Sequence, residues 1–550
     1  MKARRLVFVG VILITLWIIA SSVYAAQYSL GDDRDVNILG SLSNQVQWGR
    51  AGDHYDTQPG FQQWLTSFQL MMDFNLGQDT SAYLSGIGTI DWAYDINGSD
   101  DDWKDKGFDD SRDNLYFDDE WWQLLSEAHV TYAPGQFMFR VGKQLVKWGE
   151  MEGSTVLDQI NPTDDRRGFG DVEFETYNIA IPMIRAEYWP DIYTDLFSAP
   201  NLQFLFIPNT PFIHSTPEYG MHFSNREGGI YALDYVYEGE RWGRNDFDID
   251  EPDDWDSDHF EYGIKLSGQI KGSIFSLVGF YGRENSPALN YDYKTMGSPV
   301  TPYFGYAEDT WRKDIPNFPV YNQIDDDGNG IGNYLLMGEY PRQKFVGTSL
   351  STELSPLKIS AIGGTAPLLR LESRYDIDKT FVDDNFANEY IEYYMDNWSS
   401  SFSPDLSLLG DPFVESDYWV NGISLEQKIK LSWLQSSYFF VQFEYTQSNV
   451  MDHDPDWSFK EQSESYYAYI STSYFSGKLV PDFFFQRVVD APGVDGTANL
   501  YWPGVYYYWS SNLNFYVGTG FFEGEGADPI RHKDYAVFKD LQFLIVEPKF

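Results

Sequence analysis

Four sets of residues have types and spacings that can do chemistry. Asp325-Asp326-Asp327-Gly328-Asn329-Gly330 puts oxygen ligands at positions 1, 3 and 5 of a loop and glycine at position 6, which is the first half of a calcium loop. Position 12 is Leu336 rather than Glu, so the bidentate carboxylate is missing, and Glu339 replaces it only in a longer loop. Weak Ca²⁺ capture by Asp325, Asp327 and Asn329 stands beside an ordinary Asp/Gly turn. Acidic runs form a second set: Asp100-Asp101-Asp102, Asp109-Asp110, Asp118-Asp119-Glu120, and the crowd from Asp246 to Asp258. Such runs are either solvated surface or divalent-cation capture.

The third set consists of charges two residues apart. Arg185 and Glu187 form one such pair, and Arg370, Glu372 and Arg374 form a trio; Arg140 and Glu127 stand on neighbouring alternating stretches. In a strand, residues i and i+2 share a face, so these charges share a face opposite apolar side chains. Pairing with one another and selection of a solute are both open to them. The fourth set is the stretch 136–189, with Arg140 and Gln144 in its first part and Glu150, Asp164, Arg166 and Arg167 in the polar segment that follows. Catalysis finds no comparable constellation. The seven histidines are scattered, with no HExxH and no GxSxG, and the absence of cysteine excludes disulfides and thiolate chemistry. The expectation is that the chain is not an enzyme.

The elements that must position these residues are strands. Phe137, Phe139 and Val141 alternate with Met138, Arg140, Gly142 and Gln144; Ile184, Ala186 and Tyr188 alternate with Arg185 and Glu187, a period of two. Val36–Trp48 and Trp64–Leu76 repeat the pattern, and a third strand follows the turn 77–80. Further units lie near 121–132, 260–270, 273–284, 345–354, 358–377, 416–430, 437–448, 464–475, 479–490, 504–522 and 537–550. Short connections (77–80, 133–136, 271–272, 355–357, 434–436, 476–478, 510–512) alternate with long ones near 96–120, 239–259, 285–344, 378–415, 449–463 and 491–503. The alternation fails in 190–228. Leu202, Phe204 and Phe206 read as a strand there, but counting it makes the total odd, so the region is expected to be an irregular excursion.

Charges of both signs on one face cannot meet lipid cheaply, at about 2–4 kcal/mol for each mid-depth Arg. Together with the sorted connections this predicts an all-β fold: a transmembrane antiparallel up-and-down β-barrel of 16–18 strands, with short periplasmic turns and long acidic extracellular loops. Aromatics make up 18% of the chain, as girdles at two membrane interfaces require. Lys2, Arg4 and Arg5, an apolar run from Leu6 to Ala20, and Val23-Tyr24-Ala25 read as a signal peptide over 1–25 cleaved after Ala25, leaving 26–550 as the barrel. The leader carries three basic and no acidic residues, so the mature charge is 35 − 83 = −48. That surface repels nucleic acid and attracts cations. The expected partners are outer-membrane lipid, lipopolysaccharide, a small-molecule solute, and the barrel-assembly machinery through a last strand ending in Phe550; no cofactor is expected.

Gly142-Lys143-Gln144, Trp148-Gly149-Glu150, Ile160-Asn161-Pro162 with Asp164, and Ile181-Pro182-Met183 resemble a large group of Gram-negative outer-membrane proteins filed as a domain of unknown function and predicted to be porin-like. The likeness covers about fifty residues and implies a porin-like barrel, with hydrophobic or sterol-like compounds as the suspected cargo of its members. The motif is physically sensible. Gly142 and Gly149 permit close approach, Asn161-Pro162 and Asp164-Asp165 fix a turn, and Arg166 and Arg167 are placed to pair with carboxylates as the loop 150–171 folds inward to a constriction. The function expected is passive passage of a small or amphipathic solute, the alternative a structural or surface-binding barrel with no through path.

Overall fold

The computed structural model describes residues 26–31, 34–49, 60–91, 125–163, 178–194, 197–210, 245–250, 255–286, 288–291, 323–324, 330–331, 334–357, 364–382, 413–430, 436, 438–454, 457, 460–490, 496–510, 513–525 and 541–548. Eighteen strands follow one another up and down: β1 Arg34–Gly49, β2 Gly60–Gly77, β3 Thr80–Asp91, β4 Glu127–Tyr132, β5 Phe137–Gln144, β6 Ile181–Tyr188, β7 Phe197–Ile207, β8 Glu261–Ile270 and β9 Ser273–Arg283. They continue as β10 Arg342–Glu353, β11 Leu368–Val382, β12 Phe413–Ile429, β13 Phe439–Val450, β14 Gln462–Thr472, β15 Leu479–Val489, β16 Thr497–Ser510, β17 Leu513–Glu525 and β18 Leu541–Pro548. Each is hydrogen-bonded antiparallel to its neighbours in the chain. β1 also pairs with β18, from Asn44↔Val546 to Gly49↔Leu541, so the pairings run in a circuit. A nineteenth strand of the same sheet, Ala26–Gly31, pairs with the start of β1 beyond the end of β18, Ala26 opposite Ile38.

The two faces of this sheet are sorted the opposite way from a soluble protein. In β11, Arg370, Glu372, Arg374 and Asp376 are buried while Leu371 between them and Ile377 just after them are exposed. The same polar face carries buried Gln69, Ser85, Thr131, Glu187, Gln203, Glu261, Ser349, Gln442 and Glu444; the other exposes Phe68, Val141, Ile184, Ile264, Leu277, Val346, Ile423 and Val517. Exposed aromatics gather at both strand ends, with Tyr262, Tyr281 and Trp419 toward one and Tyr132, Phe137, Trp189, Phe475 and Trp509 toward the other.

Connections at one end are 78–79, 133–136, 189–196, 271–272, 354–367, 430–438, 473–478 and 511–512; the opposite end takes 92–126, 145–180, 208–260, 284–341 and 383–412 among others. Three sequence expectations need correction. Residues 504–522 are two strands, β16 and β17, because 511–512 turns the chain back. The strand expected over 358–377 starts only at Leu368, and Ser355–Leu357 is one 3-10 turn inside a longer connection. Residues 197–207 are no excursion but a full member, β7, paired to β6 and β8. Its alternation is hidden by a register shift opposite Ser267 and Gln269, where Ala199 takes φ 50°; a bulge of this kind puts two consecutive residues against one. The remainder, 211–228, lies outside the described residues. With β7 counted the eighteen come out even.

Gly142 has φ 133°, and a Cβ there would run into the Ala128 carbonyl of β4. Gly31 also has a positive φ, 88°, but faces open space. Gly31→Ala is expected to cost about 1–2 kcal/mol from backbone strain alone, and Gly142→Ala clearly more, because strain and collision add. Urea titration of the refolded variants checks the order; equal midpoints would refute it.

Candidate functional site

The chain leaves β5 at Gln144 and does not re-enter the sheet until β6. Residues 145–163 lie instead on the polar face. Gln144 is fully buried and donates from Nε2 to the Met183 carbonyl at 3.2 Å. Glu127 Oε2 accepts the Leu145 N–H at 3.1 Å. Arg140, expected to be Glu127's counterpart, donates from Nε to Thr131 Oγ1 at 3.0 Å, its cross-strand neighbour. The segment is folded on itself by two side chains. Asn161 Oδ1 accepts the Val146 N–H at 2.8 Å while its Nδ2 reaches the Ile179 carbonyl at 2.9 Å. Asp158 Oδ1 accepts the N–H groups of Trp148 and Gly149 at 2.6 and 2.7 Å.

Apolar residues of the segment then have somewhere to go. Val146, Trp148, Met151, Val156, Leu157 and Ile160 form one buried cluster with Ile181, Met183, Leu205, Ile207, Val278, Phe280 and Phe345. These sheet residues come from β6, β7, β9 and β10. Glycines make the seat: a Cβ on Gly347 would stand 2.5 Å from Leu157 Cδ2, and one on Gly422 2.6 Å from Met151 Sδ.

Distant charges of the polar face hold the segment by its backbone. Glu372 Oε1 accepts the N–H of Met151 at 3.0 Å and also that of Glu150. Glu444 takes the next two, from Glu152 at 3.2 Å and Gly153 at 3.0 Å. Arg374 donates to the Val156 carbonyl at 2.7 Å while its Nε pairs with Asp376 at 2.8 Å, and Lys265 Nζ donates to the Trp148 carbonyl at 3.0 Å. Arg185 pairs with Glu187, which also accepts from Gln203 at 2.9 Å; Gln203 in turn accepts the Trp148 indole N–H at 2.7 Å. Arg370 is bridged to Glu426 at 2.8 Å.

The structure thus brings Gln144, the Glu150 backbone, Glu372 and Arg374 into one assembly, with Arg185 and Glu187 one link behind it and Arg140 and Arg370 in pairings beside it. Asp164, Arg166 and Arg167 lie outside the described residues, as do Asp325, Asp327 and Asn329 and the acidic runs of 100–120. The residues flanking the calcium-like loop pair as a short ladder, Gln323↔Ile331 and Ile324↔Gly330. Among the described residues no three His, Asp or Glu side chains are grouped to hold a metal. Sequence reasoning missed Asp158, Gln203, Lys265 and Glu444. The signal for Glu444 was present: an acid and an amide, Gln442, punctuate the apolar stretch Phe439 to Phe443.

A hydrogen bond to a charged group contributes about 1.5–3 kcal/mol. Glu372→Ala removes two such bonds at once, so amide hydrogen exchange at Glu150 and Met151 is expected to accelerate by at least about tenfold, with Glu152 and Gly153 less affected because Glu444 remains. Unchanged exchange at all four would show that the apolar cluster alone holds the segment.

No described protein family and no curated protein matches the chain. Among solved structures it is similar to Salmonella typhi OmpF in complex with daunomycin, at 9% identity over 96% of this chain and 100% of the other, with a TM-score of 0.38. It is similar to Pseudomonas aeruginosa OccK8 (OprE), at 8% identity over 94% and 98%, TM-score 0.40, and to Pseudomonas aeruginosa OpdK with vanillate, at 7% identity over 94% and 98%, TM-score 0.43. Likeness at this level bears on neither solute nor activity.

Proposed function

We propose that the chain is a transmembrane β-barrel of the Gram-negative outer membrane that passes a small or amphipathic solute, and that the segment after β5 narrows the path. The observation that carries this reading is the inverted sorting of the sheet: buried ion pairs and amides on one face, exposed aliphatic side chains on the other, in a circuit of paired strands. In water such an apolar face is a liability; against hydrocarbon it is the stable arrangement, and the aromatics at both strand ends suit the two interfaces. The polar face then surrounds the path, short connections face the periplasm, and the long acidic ones face outward beside lipopolysaccharide. Cleavage after Ala25 and recognition of the last strand by barrel-assembly machinery belong to the same proposal. So does membership of the porin-like family of unknown function, whose motif residues Gln144, Trp148, Gly149, Asn161 and Met183 all build or seat the segment.

A second reading has an observation of its own. Trp148, Leu157, Ile160 and Ile181 are at most 2% exposed, so the segment seals the part of the polar face that it covers, as a plug in a structural or surface-binding barrel would. Planar-bilayer recording separates the two. The channel reading expects discrete single-channel currents from the wild-type protein and a larger conductance after deletion of 153–168. Absence of current in both would leave the plugged barrel.

The membrane reading makes a separate demand on the apolar face. Leu277, mid-strand in β9 and 50% exposed, faces hydrocarbon. Leu277→Arg is expected to lower the free energy of unfolding from lipid vesicles by about 2–4 kcal/mol. A change under about 0.5 kcal/mol, the usual size for a water-exposed site, would contradict it.

A further inference from the structure

The segment 145–163 occupies the polar face from β5 round to β14, where Gly153 meets the Tyr467 ring. Beyond it, the polar face of β14–β17 is of a different kind. Cross-strand register puts Tyr469, Phe484 and Trp502 side by side, and Ser471, Asp482, Gly504 and Gly518 side by side one step nearer the short connections. Rings dominate: Tyr467 and Phe484 lie 5.1 Å apart between centroids, and Tyr506 and Tyr516 4.3 Å. Tyr516 lies across Gly504 and Gly518, its hydroxyl where a side chain on either would fall, and Gly504 is the cross-strand partner of Asp482. The glycines therefore bring a ring up to the carboxylate.

Asp482 is the one charged residue that register places on this face of β14–β17 among the described residues. Its Oδ1 is buried and has no hydrogen-bond partner. The lysines and arginines that neutralise carboxylates elsewhere on the polar face have no counterpart here. An unpaired carboxylate oxygen among aromatic rings has one complementary class of ligand. A positive charge with an apolar surround meets the carboxylate by Coulomb attraction and the rings by their negative faces. An anion finds no basic group. A bare divalent cation needs six or more oxygens, and one acid does not supply them.

We propose that Asp482, with the rings of Tyr469, Phe484, Trp502, Tyr506 and Tyr516, forms a binding subsite for organic ammonium ions, placed between the narrowing segment and the short-connection end. This rests on reading the polar face as the lining of a channel, and it names the class of solute that lining favours. The net charge of −45 for the whole chain works in the same direction, by concentrating cations at the mouth.

Benzyltrimethylammonium is the probe, added to the full-length mature protein. In planar bilayers it is expected to block the ion current saturably. Asp482→Asn is expected to weaken the block at least about tenfold, and Trp502→Leu by a smaller factor, each block being read as a fraction of that variant's own unblocked current. Calorimetry of the same three proteins in detergent reads binding without requiring current. A protein that carries no current but binds the probe in an Asp482-dependent way would sink the channel and keep the subsite. Normal currents with no binding, with binding equal in Asp482→Asn, or with methyl glucoside bound as tightly as the cation, would overturn the subsite and leave the channel standing.

Discussion

The structure depends on a closed account of backbone hydrogen bonds. Each of the eighteen strands has a partner on both edges because β1 and β18 pair with each other. In hydrocarbon an unpaired N–H or C=O costs several kcal/mol and finds no water, so an open sheet of this length would be excluded there whatever its side chains. The seam shows how closely this is met. β18 pairs with β1 from Gly49 only as far as Asn44 in the described residues, and Ala26–Gly31 takes up the same edge again from Ile38 to Arg34. Two stretches from opposite ends of the sequence, running the same way, share the task of closing one edge. A stagger of this kind is what strands tilted round the proposed barrel would show where they meet, with Ala26–Gly31 filling the length that the stagger leaves.

Once the backbone is satisfied, side chains are free to sort by solvent alone, and the inside must solve a harder problem than the outside. Buried charges need partners. The polar face from β6 to β13 supplies them in two ways: by ion pairs such as Arg374–Asp376 and Arg370–Glu426, and by the backbone of the segment 145–163. Glu372 and Glu444 accept four consecutive N–H groups, from Glu150 to Gly153. Those amides, lying in no helix or strand, would otherwise be orphaned. The carboxylates and the segment therefore need each other: either one alone on this face would leave polar groups unsatisfied, at a cost of about 1–3 kcal/mol each.

Much of this was legible in the sequence, and the limits are instructive. Period-two alternation found the strands because each face meets a single solvent. It failed at 197–201, where a bulge and a left-handed Ala199 put neighbouring residues out of phase. Within the motif, Gln144, Trp148 and Asn161 announce a special segment by being amide and indole residues where a loop needs none. Their anchors do not announce themselves. Glu372 and Glu444 sit more than 200 residues away, 222 for Glu150 and Glu372; the pattern around each places it on the polar face, as Gln442 does for Glu444, but nothing local says that it grips a backbone. The trio Arg370, Glu372 and Arg374 was readable as inward-facing; that its middle member grips a backbone was not.

The polar face of the sheet is consequently divided. Where the segment lies, charges are engaged by ion pairs or by backbone N–H groups, and engaged charges project less field into the space beside them. Where the segment does not reach, the polar face of β14–β17 carries rings and, among the described residues, a single acid. Few charges in a low-dielectric wall matter more than many paired ones, because an unpaired charge there is neither screened by water nor cancelled by a neighbour. In the proposed channel, the preference of the path would be set less by the eye-catching clusters of Arg and Glu than by the quieter wall of β14–β17. If the proposed channel holds, the role of the segment extends beyond narrowing: by engaging the charges of one side, it would leave a passing solute to face the aromatic side.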